Sequence, residues 1–114
     1  MILQIRPAAE VDLEEIAFRI GQDHPLSAKR FLTRAAETFE LLARIPYLGA
    51  SLAVSAYPEA RLFSIRRFRN YIVLYLPIPD EVEVLRVVDA RRDLPAVEPA
   101  KTVGTSFDFF APKT

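Results

Sequence analysis

Residues 61–88 read RLFSIRRFRNYIVLYLPIPDEVEVLRVV, and the architecture of the chain can be worked out from them. Three runs within it, 61–67, 71–76 and 82–88, are rich in β-branched and aromatic residues, as strands are. Only a few residues link each run to the next, and links this short join antiparallel neighbours. The stretch therefore predicts a three-strand antiparallel meander.

One strand and two helices are predicted ahead of this meander. Residues 2–6 form a short β-branched run that stops at a proline, which indicates a strand. Apolar residues then recur at helical spacing and predict one helix that ends at Gly21 and a second over 25–44. The short link between them indicates an antiparallel helical hairpin, and 46–59 should be a loop. We expect an α+β fold in the order β-α-α-β-β-β, with a four-stranded, mostly antiparallel sheet and the helices packed on one face.

Length and composition indicate one domain with an added tail. The chain has 114 residues, of which 51% are hydrophobic and 26% charged, as in ordinary globular domains. We expect residues 1–94 to form this domain. Residues 95–114 contain three prolines and a glycine, so they predict an extended tail and not a helix. The tail carries Phe107, Phe109 and Phe110.

The lack of cysteine and the single histidine exclude much catalytic chemistry. Without cysteine there is no disulfide, thiolate-bound metal or thiol nucleophile, and one histidine cannot form a two-histidine metal centre. His24 falls at the predicted turn between the helices, where a cap or surface position is expected. Glycine-rich phosphate loops and the G-x-S-x-G motif are also absent from the sequence. We therefore expect neither a metal nor a cofactor.

The sequence predicts no membrane segment. Its first residues lack the basic region of a signal peptide. The longest uncharged stretch, residues 45–58, is interrupted by Pro46 and Gly49 and is too short to span a bilayer. We expect a cytoplasmic protein without membrane contact.

Positive charge is concentrated in the meander, although the whole chain has a formal charge of zero. Residues 61–92 contain seven basic and four acidic side chains, and all seven basic residues are arginines. Arginine forms bidentate hydrogen bonds with carboxylates and phosphates, and a nearby tyrosine adds a hydroxyl and a stacking face. The candidate binding residues for an anionic partner are Arg66, Arg67, Arg69, Tyr71, Tyr75, Arg86, Arg91 and Arg92.

Side-chain alternation divides the middle strand of the meander into two faces. Tyr71 and Tyr75 share one face, whereas aliphatic side chains form the other. We expect the aliphatic face to receive the helices, which leaves both tyrosines on the open face beside the arginines. The simpler interpretation is that these arginines are ordinary solvated surface charges.

Arg86 and the acidic residues of the first helix have structural interpretations of their own. Arg86 falls in a strand expected to be central, so a structural ion pair is favoured over a ligand contact there. The acidic residues suit an exposed helix face near a helix N-terminus, which favours negative charge. They are Glu10, Asp12, Glu14 and Glu15.

Four pieces of the sequence, in this order, resemble one protein family. They are 9–16 (AEVDLEEI), 24–31 (HPLSAKRF), 46–49 (PYLG) and 71–93. Together they resemble the RelE/ParE superfamily of bacterial toxin–antitoxin toxins, and its ParE-like branch in particular. The resemblance covers residues 2–97 and implies a small toxin that a cognate antitoxin neutralises by wrapping its helices and sheet, with higher-order toxin–antitoxin assembly as a further option.

The resemblance implies one of two activities. RelE-like members cut mRNA in the ribosome, which requires a base, a cationic group and a proton donor. ParE-like members inhibit DNA gyrase through a protein contact, without chemistry of their own. If the chain were a ribonuclease, its catalytic residues would come from Arg67, Arg69, Tyr71, Arg91 and Arg92, with Glu81, Glu83 or Asp89 as the base.

The residue inventory favours the second activity. Arginine is a poor proton shuttle because it stays protonated, no lysine lies on the predicted sheet, and no tyrosine follows Tyr75. We therefore expect inhibition of DNA gyrase or a related topoisomerase, a cognate antitoxin as partner, and no sequence-specific nucleic-acid contact. A ribosome-dependent endoribonuclease and a non-toxic family member that acts as a binding module are the alternatives.

Overall fold

The computed structural model describes residues 2–52 and 58–92, and it has the expected α+β class. Its five strands form one sheet in the order β1-β5-β4-β3-β2, in which β1 runs parallel to β5 and the other neighbours are antiparallel. Both helices pack on one face of this sheet. The tail predicted for 95–114 lies outside the described residues. The elements are β1 (Ile2–Ile5), α1 (Pro7–Asp23), α2 (Pro25–Arg44), β2 (Ala50–Ser51), β3 (Arg61–Ile65), β4 (Phe68–Ile78) and β5 (Glu81–Asp89).

The end of α1 and the segment after α2 differ from the sequence prediction. α1 continues past Gly21 to Asp23, because Gly21 keeps a helical backbone and does not adopt the positive φ of a helix-ending glycine. The segment 46–59, predicted to be a loop, contains β2, so the sheet has five strands and not four. β2 is two residues long and pairs with β3.

Both turns of the meander are shorter than predicted. Two residues, Arg66 and Arg67, link β3 to β4, and Pro79 and Asp80 link β4 to β5. β4 therefore extends beyond the predicted 71–76 at both ends. The second residue of each turn has a positive φ, 69° for Arg67 and 63° for Asp80. Side chains other than glycine adopt this conformation at a cost, which is smaller for aspartate.

The main core lies between the helices and the sheet, and the tyrosines of β4 belong to it. Tyr75 is fully buried in this core and Tyr71 packs against it, whereas Leu74 points to the opposite face. The expectation that the tyrosines occupy the open face is therefore wrong. Burial of the Tyr75 hydroxyl is tolerated because this hydroxyl donates a hydrogen bond to the Pro46 carbonyl (2.8 Å) and accepts one from the Gly49 N–H (2.8 Å).

A single carboxylate, that of Asp12, fastens α1 to β5. It accepts two hydrogen bonds from the Arg86 guanidinium, at 2.7 and 2.9 Å, and one from the Val87 N–H at 2.9 Å. This carboxylate meets β5 just beyond the point where β1 leaves the sheet, since the last β1 contact joins the Arg6 N–H to the Val84 carbonyl. The structural ion pair favoured for Arg86 is confirmed. The expected exposure of Asp12 is wrong, because this residue is 8% exposed.

Removal of the Asp12 carboxylate should destabilise the fold strongly. Asp12→Ala deletes an acceptor of three hydrogen bonds, so we expect a loss of about 3 kcal/mol in the free energy of unfolding. Asp12→Asn should lose less, because an amide oxygen still accepts a hydrogen bond. Urea denaturation measures both, with the exposed Glu15→Ala, expected within about 0.5 kcal/mol of wild type, as the control. Equal effects of Asp12→Ala and Glu15→Ala would contradict this assignment.

Alanine should have opposite effects at two glycines. A Cβ at Gly49 would lie 2.6 Å from the Leu62 carbonyl oxygen and 2.7 Å from the Tyr75 hydroxyl, so Gly49→Ala should destabilise by about 1–3 kcal/mol. Gly21 is helical and its added Cβ would make an ordinary contact, so Gly21→Ala should stabilise by about 0.5–1 kcal/mol. Thermal unfolding compares the two variants. Shifts of the same sign would refute the close approach at Gly49.

Candidate functional site

Five exposed arginines lie at one end of the sheet. The β3–β4 turn and the start of β4 supply three of them, and the turn after β5 supplies two. Tyr71 pairs with Asp89 across β4 and β5, which places the start of one strand beside the end of the other. We call this group the arginine end. Its members are Arg66, Arg67, Arg69, Arg91 and Arg92.

Thr38 fixes the backbone of the β3–β4 turn to α2. Its side chain is 2% exposed, and its hydroxyl donates to the Arg34 carbonyl (2.7 Å) and accepts from the Arg66 N–H (3.4 Å). The buried contact is therefore made by the main chain of Arg66, whereas the side chains of both turn arginines face solvent.

Asp89 fixes the second part of the arginine end. Its carboxylate is 4% exposed and accepts hydrogen bonds from the Arg91 N–H (2.9 Å) and Nε (3.3 Å). Burial alone raises the pKa of Asp89, but the hydrogen bonds and charge of Arg91, with the charge of Arg19, outweigh burial and hold the pKa below its ordinary value. The carboxylate therefore stays ionised at neutral pH and is a weaker base than an ordinary aspartate.

Tyr71 lies between this end and the core. Its ring makes an edge contact with Phe31 at a centroid distance of 5.2 Å, and Phe31 also meets Phe68 edge-on at 5.4 Å. Tyr71 also contributes to the raised pKa of Arg91, although the largest contribution comes from Asp89. Of the two candidate tyrosines, Tyr71 is the one beside the arginine end.

Tyr75 and Arg86 are separated from the arginine end by their internal partners. The Tyr75 hydroxyl binds the 46–49 segment, and Arg86 binds Asp12. Burial raises the pKa of Tyr75, against the opposing effects of the Gly49 hydrogen bond and the Arg61 charge. Its proton is thus held more firmly than in a free tyrosine. The polar groups of both candidates are engaged in holding the fold.

The 46–49 segment is held from a second side by Arg61. The Arg61 guanidinium donates to the Gly49 carbonyl (2.5 Å) and lies 4.9 Å from the centre of the Tyr47 ring. These contacts, with those of the Tyr75 hydroxyl, fix the chain between α2 and β2. The PYLG segment, residues 46–49, is thus held against β4, away from the arginine end.

The acidic residues considered as bases do not gather at the arginine end. Glu81 and Glu83 pair with Ile2 and Gln4 of β1, at the other end of β5. Glu83 also forms an ion pair with Arg6 at 2.8 Å. Only Asp89 of the three stands beside the arginines, and Arg91 binds it.

Sequence reasoning missed Thr38 and misplaced Asp12, although helical periodicity could have found both. Asp12 falls on the α1 face that buries Ala9 and Ile16, and Thr38 falls on the corresponding face of α2. A polar residue at a core position of an amphipathic helix indicates a buried hydrogen bond. His24 is exposed in the turn between the helices, as expected.

Residues 2–52 and 58–92 contain neither a metal-binding cluster nor a membrane-spanning helix. No group of three histidine, aspartate or glutamate side chains there is placed to hold a metal ion. In the same ranges, neither helix combines the length and apolar character that a bilayer crossing requires.

Comparison with known proteins identifies the family. No curated protein matches the sequence. A solved structure titled "Chromosomal ParDE TA system from P. aeruginosa" shares the fold with a TM-score of 0.66 and 21% identity, over 78% of this chain and 95% of that one. Residues 3–94 match the family described as "ParE toxin of type II toxin-antitoxin system, parDE". The chain therefore belongs to the ParE family of type II toxins.

Proposed function

We propose that the chain inhibits DNA gyrase or a related topoisomerase by protein contact, and that a cognate antitoxin neutralises it. Membership of the ParE family supports a toxin. The observation that carries the choice of mechanism is the orientation of β4, which turns Tyr71 and Tyr75 towards the helices. A sheet face used for RNA cleavage would need such a side chain in reach of the substrate.

The remaining groups at the arginine end suit binding better than proton transfer. Arginine stays protonated, so the five guanidinium groups offer charge and hydrogen bonds but take up no proton. The Asp89 carboxylate at this end is buried and bound to Arg91. A surface of this kind stabilises an anionic partner and steers its approach.

The antitoxin is the partner that we assign to the arginine end. An acidic antitoxin segment would place carboxylates against the guanidinium groups, whose bidentate geometry gives specificity as well as affinity. The exposure of these arginines and the fixed backbone beneath them support a preformed binding surface. The complex would form in the cytoplasm, where the topoisomerase acts.

A supercoiling assay tests the proposed target. Purified gyrase, relaxed plasmid and ATP are combined with the chain, and we expect supercoiling to fall as the chain is added. Addition of the product of the adjacent reading frame, the candidate antitoxin, should restore it. Undiminished supercoiling together with cut sites in translated mRNA would indicate the ribonuclease. Normal growth on expression without the antitoxin, with gyrase and transcripts unaffected, would indicate a non-toxic binding module.

Neutralising three charges at the arginine end should weaken the antitoxin complex. We suggest Arg66→Gln, Arg67→Asn and Arg69→Gln together, because asparagine tolerates the positive φ of position 67 better than most residues. The affinity for the candidate antitoxin should fall at least tenfold in low salt. Its salt dependence should also become shallower, because fewer charge pairs form.

A second triple variant provides the control. Lys29→Gln, Arg30→Gln and Arg44→Gln remove the same charge from exposed positions of α2. This variant should change the affinity and its salt dependence much less than the first. Titration calorimetry at several salt concentrations measures both variants. Equal losses would show that the total charge matters and that the arginine end does not.

A further inference from the structure

A second apolar cluster lies on the sheet face turned away from the helices. Leu74, on the central strand β4, has no exposed surface, and Leu85 on β5 is 7% exposed. Further leucines, partly buried, pack against them and form the outer surface of the cluster. We call it the leucine patch. Its members are Leu52, Ala60, Leu62, Leu74, Leu76 and Leu85.

A β-bulge in β5 determines which face of the sheet Leu85 occupies. Leu74 pairs with Arg86 whereas the next residue, Tyr75, pairs with Val84, so Leu85 is the extra residue of the ladder. This irregularity brings Leu85 to the same side as Leu74. The second face of an antiparallel sheet is commonly polar, so the partly exposed leucines that surround Leu74 and Leu85 form a surface that a further apolar segment can cover.

The chain itself supplies a covering segment of suitable length. The described part ends at Arg92, directly after β5, the strand that carries Leu85. Phe107 follows Arg92 by 15 residues, which reach roughly 50 Å when extended. Leu85 precedes Arg92 by seven residues, a distance of no more than roughly 25 Å. The phenylalanines can therefore return to any part of the patch.

The chemistry of this segment fits the patch. In the sequence SFDFF, residues 106–110, Phe107 and Phe109 alternate with Ser106 and Asp108, a pattern typical of an extended segment with one apolar side. The family match ends at residue 94, so these phenylalanines belong to an addition to the shared domain. We propose that the tail, residues 95–114, folds back over the leucine patch of its own chain and covers it with Phe107 and Phe109.

Fluorescence tests this contact in the full-length chain. The sequence has no tryptophan, so Phe109→Trp introduces a single tryptophan, which is excited selectively at wavelengths that the four tyrosines do not absorb. We expect its emission to be blue-shifted relative to the same chain unfolded in urea, and to stay unchanged on dilution. Emission equal to that of the unfolded chain would overturn the proposal. A blue shift that disappears on dilution would indicate a second copy of the chain as the cover, and would also overturn it.

Substitutions in the patch locate the tail. In the Phe109→Trp background, Leu62→Ser with Leu76→Ser should return the emission towards that of the unfolded chain. Phe18→Ser with Leu26→Ser, at helix positions that are 67% and 66% exposed, should leave it blue-shifted. Circular dichroism of each variant checks that the fold persists. If both pairs of substitutions changed the emission equally, or if neither pair changed it, the tail would lie elsewhere and the proposal would be overturned.

A crosslink gives a second readout that does not depend on weakening the patch. The chain has no cysteine, so Phe109→Cys with Leu76→Cys contains a single pair. This pair should form an intramolecular disulfide under mild oxidation, since docking brings the two positions together. Phe109→Cys with Phe18→Cys, on the opposite side of the molecule, should form it more slowly. Equal rates would overturn the proposal.

Discussion

The carboxylate of Asp12 joins the helical layer to the sheet. Earlier along β5, the neighbouring strand β1 supplies hydrogen-bond partners for the backbone. Beyond the end of β1, the Asp12 carboxylate supplies one instead, because it accepts the Val87 N–H. It also accepts both hydrogen bonds of the Arg86 guanidinium. An apolar contact could slide along the strand, whereas these three directed hydrogen bonds favour one position of α1. We infer that the ion pair adds specificity to the packing of helix against sheet, besides its effect on stability.

Other buried polar groups follow the same rule at the edges of the fold. Thr38 fixes the β3–β4 turn, Asp89 fixes the turn after β5, and the Tyr75 hydroxyl fixes the segment after α2. In each case a side chain beneath the surface binds main-chain atoms of a connecting segment. Connecting segments usually have the weakest backbone support, and here each of these three is held by at least one hydrogen bond with a buried side chain. The proposed binding surface is therefore preformed.

Patterns along the chain predicted every described element except β2, but not which way the elements face. The bounds of α2 and the order of the meander follow from periodicity and short links. Alternation in β4 also separated the tyrosines from the leucines. It could not assign the faces, because the partners of the Tyr75 hydroxyl are main-chain atoms some thirty residues away, at Pro46 and Gly49. The bulge at Leu85 also breaks the alternation along β5, so alternation alone does not assign the faces of that strand.

The arginine end separates the groups that hold the fold from the groups that we propose for recognition. Its main chain is held by Thr38 and Asp89, whereas most of its guanidinium groups extend into solvent. Substitutions at such exposed positions change folding stability little, and under the proposed function they would alter which antitoxin binds. Duplicated copies of a toxin built in this way can diverge in partner preference without passing through unstable intermediates. Several pairs can then coexist in one cell, each insulated from the antitoxins of the others.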